Sequence, residues 1–124
     1  MLKRICSALL LALACAAAFA GEAPKGSLVI IGGGLRQDNA PVWQKIVDLA
    51  GGKGARIAVI PSAAQRPERA GQSVVAQLNR FGAQAFVVPV APRWPGSDAR
   101  KAADDPALAT AVRNAGGAFI VGGD

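Results

Sequence analysis

Arg56-Ile57-Ala58-Val59-Ile60, followed at once by Pro61-Ser62, is the stretch whose reading decides the fold. Ile57, Val59 and Ile60 are β-branched, and no polar residue alternates with them. A short continuous apolar run closed by a turn signal suits a strand buried on both faces, as in a parallel sheet. Three more runs have the same character: Ser27-Leu28-Val29-Ile30-Ile31, Ala85-Phe86-Val87-Val88 and Ala118-Phe119-Ile120-Val121. The four starts lie about 30 residues apart, the length of one strand–helix–strand unit.

The intervening stretches carry helical patterns. Trp43, Ile46, Val47 and Ala50 share one face, with Gln44, Lys45 and Asp48 on the other. Asn39 or Asp38 supplies a cap, Pro41 lies near the first turn, and Gly51-Gly52 ends the helix. Val74, Val75, Leu78 and Phe81 form a second stripe, stopped by Gly82. Leu108, Ala111, Val112 and Ala115 form a third, opened by Asp105-Pro106 and stopped by Gly116-Gly117. This alternation predicts an α/β fold with a doubly wound, mostly parallel sheet. Its fourth strand is expected at or near the centre, with an apolar side left uncovered after Asp124. Residues 21–124 are therefore expected to be the N-terminal part of a single α/β domain, cut after the fourth strand.

The first 20 residues read differently. Lys3 and Arg4 precede the apolar run Ile5 to Phe19, which ends in Ala18-Phe19-Ala20. A basic start, an apolar middle and a small-x-small end predict a secretory signal cleaved after Ala20. The protein is then expected to be secreted or periplasmic, with no membrane attachment after cleavage. A lipoprotein alternative rests on Ala12-Leu13-Ala14 before Cys15. Apolar residues nevertheless fill 16–20, where a polar tether would stand. Both cysteines, Cys6 and Cys15, fall inside the signal, so the cleaved protein has no thiol and no disulfide.

The chain has 124 residues, of which 52% are hydrophobic, and a formal charge of +6. Without Lys3 and Arg4, 12 basic residues face 8 acidic ones, spread with no basic run or aromatic interleaving. That pattern favours solvated surface over nucleic-acid binding. The sequence contains no His. Its absence excludes a complete Ser-His-acid or Cys-His engine within these residues and removes the commonest transition-metal ligand. No metal and no cofactor are expected, and Asp104-Asp105 is better explained by helix capping.

Ligands of open parallel sheets bind beyond the carboxyl ends of the strands. Four segments meet there: Gly32 to Asn39, Pro61 to Arg66, Pro89 to Arg100, and Gly122-Gly123-Asp124. Gly32 and Gly34 fit the first two glycines of a dinucleotide fingerprint. Gln37 stands where the third belongs, however, and the helix starts too late to hold a pyrophosphate. A P-loop fails as well, because Gly54 follows Gly52-Lys53 where Ser or Thr is required. Ser62, Ser73, Ser97 and Thr110 lack the strand–turn–helix setting of a nucleophile elbow. Ser62 reads as a turn residue or a substrate contact.

SLVIIGGGLRQDN at 27–39, ARIAVIPSAA at 55–64 after Gly-Gly-Lys-Gly, and AGGAFIVGGD at 115–124 together resemble cyanophycinase. That family belongs with serine peptidases that include aspartyl dipeptidases, and it shares the class I glutamine-amidotransferase-like fold. The signal points to its secreted branch. The resemblance implies hydrolysis of cyanophycin, an aspartate polymer bearing Arg on its side chains, to β-Asp-Arg dipeptides. Family members continue past Gly-Gly-Asp with Gln, then reach a Gly-Thr-Ser-Ala-Gly-Ala elbow holding the nucleophile, and later a His and an acid. No catalytic residue is therefore expected within the 124 residues, which alone are expected to be inactive. Gly122 and Gly123 match the loop whose backbone N–H groups help form the oxyanion hole; the alternative is that they simply turn the chain. Arg36, Arg66 and Arg93 are candidates for substrate carboxylates, and Asp38, Asp98 and Asp124 for guanidinium groups, with Asn39 and Ser62 as further contacts. A related aspartyl dipeptidase and a non-catalytic binding module of the same fold remain alternatives, and a homodimer of the complete enzyme is left open.

Overall fold

The longest strand, β1 (Arg56–Ala63), runs through the middle of the sheet, with Ile57, Ala58 and Val59 no more than 1% exposed. The computed structural model describes residues 25–123. The expected signal segment, Cys6, Cys15 and Asp124 lie outside the described residues. In chain order the elements are α1 (Ala40–Leu49), β1, α2 (Pro67–Arg80), β2 (Gln84–Val87), α3 (Ala99–Ala103), α4 (Pro106–Arg113) and β3 (Gly117–Gly122). The sheet is three-stranded and parallel throughout, in the order β2-β1-β3. The protein is thus α/β, with helices flanking a small all-parallel sheet.

Register sorts the side chains into two faces. Ile57 pairs with Ala85 and Gly117, and Val59 with Val87 and Phe119. This face meets α1 and α2 in one apolar cluster built on Trp43, Val47, Ile57, Val59 and Leu78. Each such side chain contributes about 1.5–3 kcal/mol when fully buried. Trp43 stacks on Phe119 with ring centroids 5.8 Å apart and planes inclined by 15°. The opposite face carries Ala58, Ile60, Phe86, Ala118 and Ile120, and the Arg56 guanidinium lies over the Phe86 ring at 5.1 Å. The chain steps from β1 to β2 on one side, then back across β1 to β3. The helix that packs on the sheet is α2, which lies against β1 and β2.

The stripes of α1 and α2 face the core cluster, whereas α4 buries none of its residues; Asp105 opens it by accepting from the N–H groups of Ala107 and Leu108. Asn39 occupies the N-cap position of α1 without a side-chain cap, while Asp38 is turned to Arg36. Helix α3 was not expected from sequence. At five residues it is too short to show a stripe, but Asp98 caps it through the N–H groups of Arg100 and Lys101.

Two sequence expectations need correction. Ser27–Ile31 is not a strand: it pairs with none of the three strands, and Leu28 and Ile30 are each 85% exposed. The segment instead runs beside β3 and the end of α1, lining an apolar groove of about 400 Å³ with them. The last strand, β3, is at the edge, not the centre. It alternates half-buried with exposed residues, so only its Phe119 and Val121 side is packed. Ile120, on the other side, is 73% exposed.

Between α4 and β3, Gly116 donates its N–H to the Arg56 carbonyl at 2.8 Å, and a Cβ there would strike the Ala50 carbonyl. Gly116→Ala is expected to destabilise the fold by about 2 kcal/mol, since backbone must move to admit the methyl group. Gly32→Ala, with nothing within 4 Å of the added carbon, is expected to stay within about 0.5 kcal/mol. Urea midpoints of the two variants measure the difference.

Candidate functional site

All three strands point their carboxyl ends to one edge, where the loop before α1 meets the end of β3. That loop is fastened at its far end by two donors. The Trp43 indole Nε1–H donates to the Arg36 carbonyl at 3.0 Å, and the Gln77 amide donates to the Gln37 carbonyl at 2.5 Å. Gln77 is only 4% exposed, and its own carbonyl accepts from Arg80 at 3.4 Å. The near end, Gly32-Gly33-Gly34, has no such ties; Gly33 and Gly34 take φ of 90° and 59°. Between this loop and the end of β3 lies a cleft of about 340 Å³, walled by Gly33, Gly34, Gln37, Ser73, Gly122 and Gly123.

The two glycines at the end of β3, Gly122 within the strand and Gly123 just past it, differ in their surroundings. One extra residue on β1 between Ile60 and Ala63 forms a bulge where Pro61, with no N–H to give, interrupts the ladder. Beyond it Gly122 faces Ala63 at a φ of 126°, and a Cβ would overlap the Ala63–Ala64 backbone, 2.5 Å from the Ala64 nitrogen. At Gly123, φ is 108° and nothing lies within 4 Å of such a carbon. The Gly123 N–H reaches the Ala63 carbonyl only at 3.5 Å, a length at which a hydrogen bond is weak. The site can therefore offer backbone donors at the lip of a partly apolar cleft.

The remaining sequence candidates are dispersed. Arg36 and Asp38 form a two-pronged ion pair with each other, at 3.0 and 2.7 Å, on the open surface. Asn39 starts α1. Ser62 is exposed near the end of β1 and is not part of the cleft wall. Arg66, at the N-cap of α2, lines a separate shallow pocket of about 410 Å³ that shares Ser73 with the cleft. Arg93 is exposed in the connection from β2 to α3 and borders neither cavity. Asp98 is occupied by its helix cap. Gln77 escaped the sequence reading, although it stands three residues after Val74 and four before Phe81, on the inward stripe.

Among the described residues, no three of His, Cys, Asp and Glu gather in a group able to hold a metal ion, and no helix is long and apolar enough to cross a membrane. No family model matches the chain, and no solved structure matches it.

Hydrogen bonding to Arg36 holds the Asp38 carboxyl below its ordinary value, and Asp38 in turn raises Arg36. Because the folded-state value is depressed, the pair's contribution is present above the ordinary aspartate range and is lost as pH falls through the depressed value. Both groups are fully exposed, so the effect on stability is small. A carboxyl-carbon NMR titration is expected to place Asp38 below an ordinary aspartate, and Arg36→Gln to return it upward. An unchanged midpoint in the variant would show that Arg36 is not the cause.

Proposed function

We propose that this chain is the amino-terminal part of a secreted, cyanophycinase-like serine peptidase with a class I glutamine-amidotransferase-like fold. The observation that carries this reading is the meeting of two glycine loops, Gly32–Gly34 and Gly122–Gly123, on one cleft at the carboxyl edge of a parallel sheet. Both loops belong to the segments that resemble the family. In this reading the nucleophilic Ser, its His base and an acid are supplied by residues beyond Asp124. Ser attack on a backbone amide of cyanophycin gives an acyl-enzyme, His carries the proton to the leaving amine, and the Gly122–Gly123 loop faces the developing oxyanion. Glycine suits that place because bare backbone can approach a reacting carbonyl.

The test is hydrolysis of cyanophycin by the chain continued through its downstream sequence, read by mass spectrometry of released β-Asp-Arg. Turnover is expected there and none from the 124 residues alone. Gly123→Val in the continued chain is expected to lower kcat by about 10²-fold, the scale of losing one oxyanion donor. Cleavage confined to free aspartyl dipeptides would favour a dipeptidase, and binding without cleavage would favour a binding module. Export is checked separately: secreted material is expected to begin at Gly21, and retention of Met1 to Ala20 or a lipid on Cys15 would refute signal cleavage after Ala20.

A further inference from the structure

Gln77 occupies an inward position on α2 where an apolar residue would pack without cost. It is 4% exposed, and it is the one polar side chain buried among the described residues. Burying an amide is unfavourable unless its groups are hydrogen-bonded. Here both are: the nitrogen donates to the Gln37 carbonyl, and the oxygen accepts from Arg80 at 3.4 Å. One residue earlier, the Arg36 carbonyl accepts the Trp43 indole N–H at 3.0 Å. Two successive carbonyls of the loop before α1 are therefore held by side chains of two different helices. Both lie ahead of the first turn of α1, so no helical ladder replaces those bonds.

The loop divides here into two parts of unlike stiffness. Residues 36–40 form a turn, closed by the Asn39 N–H on the Arg36 carbonyl at 3.1 Å and the Ala40 N–H on the Asp38 carbonyl at 2.8 Å. Leu35, just before it, packs against the core cluster. Among the described residues, no hydrogen bond reaches Gly32, Gly33 or Gly34, and a Cβ at any of them would meet nothing within 4 Å. Glycine also has the widest choice of backbone angles. Gly33 and Gly34 line the cleft together with Gln37 and Gln77, opposite Gly122 and Gly123. We infer that Gln77 and Trp43 latch the turn at residues 36–39 to α2 and α1, so that Gly32–Gly34 is a hinged arm whose movement opens and narrows the glycine cleft. The latch is independent of the peptidase reading, since it needs only these bonds and the open space around the arm.

The test is backbone 15N relaxation and amide hydrogen exchange on the 124-residue chain and three variants. Order parameters of about 0.85 are expected across residues 36–40, and values below about 0.6 at Gly33 and Gly34. Gln77→Met keeps the length of the side chain but cannot donate. It is expected to lower the order parameters of residues 36–39. It is also expected to speed exchange of the Asn39 and Ala40 amides about fivefold, the ratio that one net hydrogen bond carries. The Val88 amide, bonded to the Val59 carbonyl at 2.8 Å, is expected to keep its rate. Trp43→Phe retains a ring against Phe119 without the Nε1 donor, and is expected to loosen the same turn. Gln44→Met removes an exposed hydrogen bond to Asp48 and is expected to leave the turn unchanged. Gly33 and Gly34 as rigid as the turn in the unaltered chain would overturn the hinge. A turn as ordered in Gln77→Met as in the unaltered chain would overturn the latch. So would faster exchange at Val88 in step with Asn39, or a Gln77→Met chain that does not fold, since either makes Gln77 a packing residue of the core.

Discussion

Parallel pairing on β1 is the constraint from which the other features follow. A parallel strand cannot be reached by a tight turn, so β2 and β3 must each return by a crossover long enough to hold a helix. Those crossovers carry α2 and α4, and α2 covers the Ile57 and Val59 face while its first turn stands beside the end of β1. Because all strands run the same way, every loop leaving a carboxyl end collects at one edge. The site sits there as a consequence of topology. Trp43 joins the two levels: its ring closes the core against Phe119, and its N–H holds the Arg36 carbonyl of the loop that forms the cleft.

The apolar runs at 56–60, 85–88 and 118–121 were legible because β-branched residues without alternation have few other uses at that length. The run at 27–31 has the same composition and does not pair. Composition reports that a segment is fit to be a strand, but it does not report whether an available edge, here the outer edge of β3, is taken. Ala118 and Ile120 illustrate the same limit. A continuous run gives no hint of which face a neighbour covers, and here only the Phe119 and Val121 face is packed. Gln77 marks the opposite failure, in which a polar residue at an inward position was passed over because the stripe was read through its apolar members.

Charged site candidates were legible as residues and illegible as partners. Arg36 and Asp38 lie two apart in a turn and neutralise each other, and Asp98 is committed to two backbone amides of α3. Such local bonds form at small entropic cost because the chain already holds the groups close. A loop charge is therefore a ligand contact only after its local options are exhausted.

The glycines at the end of β3 make a similar distinction. Gly122 is required by packing, since its position against the Ala63–Ala64 backbone leaves no room for a Cβ. A glycine there would be needed whether or not the cleft ever met a ligand. Gly123 has open space around it, and only its φ of 108° favours glycine. A chain that merely needed to leave the sheet could do so with an ordinary residue at negative φ. Keeping φ positive leaves the Gly123 N–H on a long, weak bond to Ala63 at the lip of the cleft. That long bond separates Gly123 from its neighbour: Gly122 is fixed by the backbone it packs against, whereas the Gly123 N–H is only weakly engaged at the lip of the cleft.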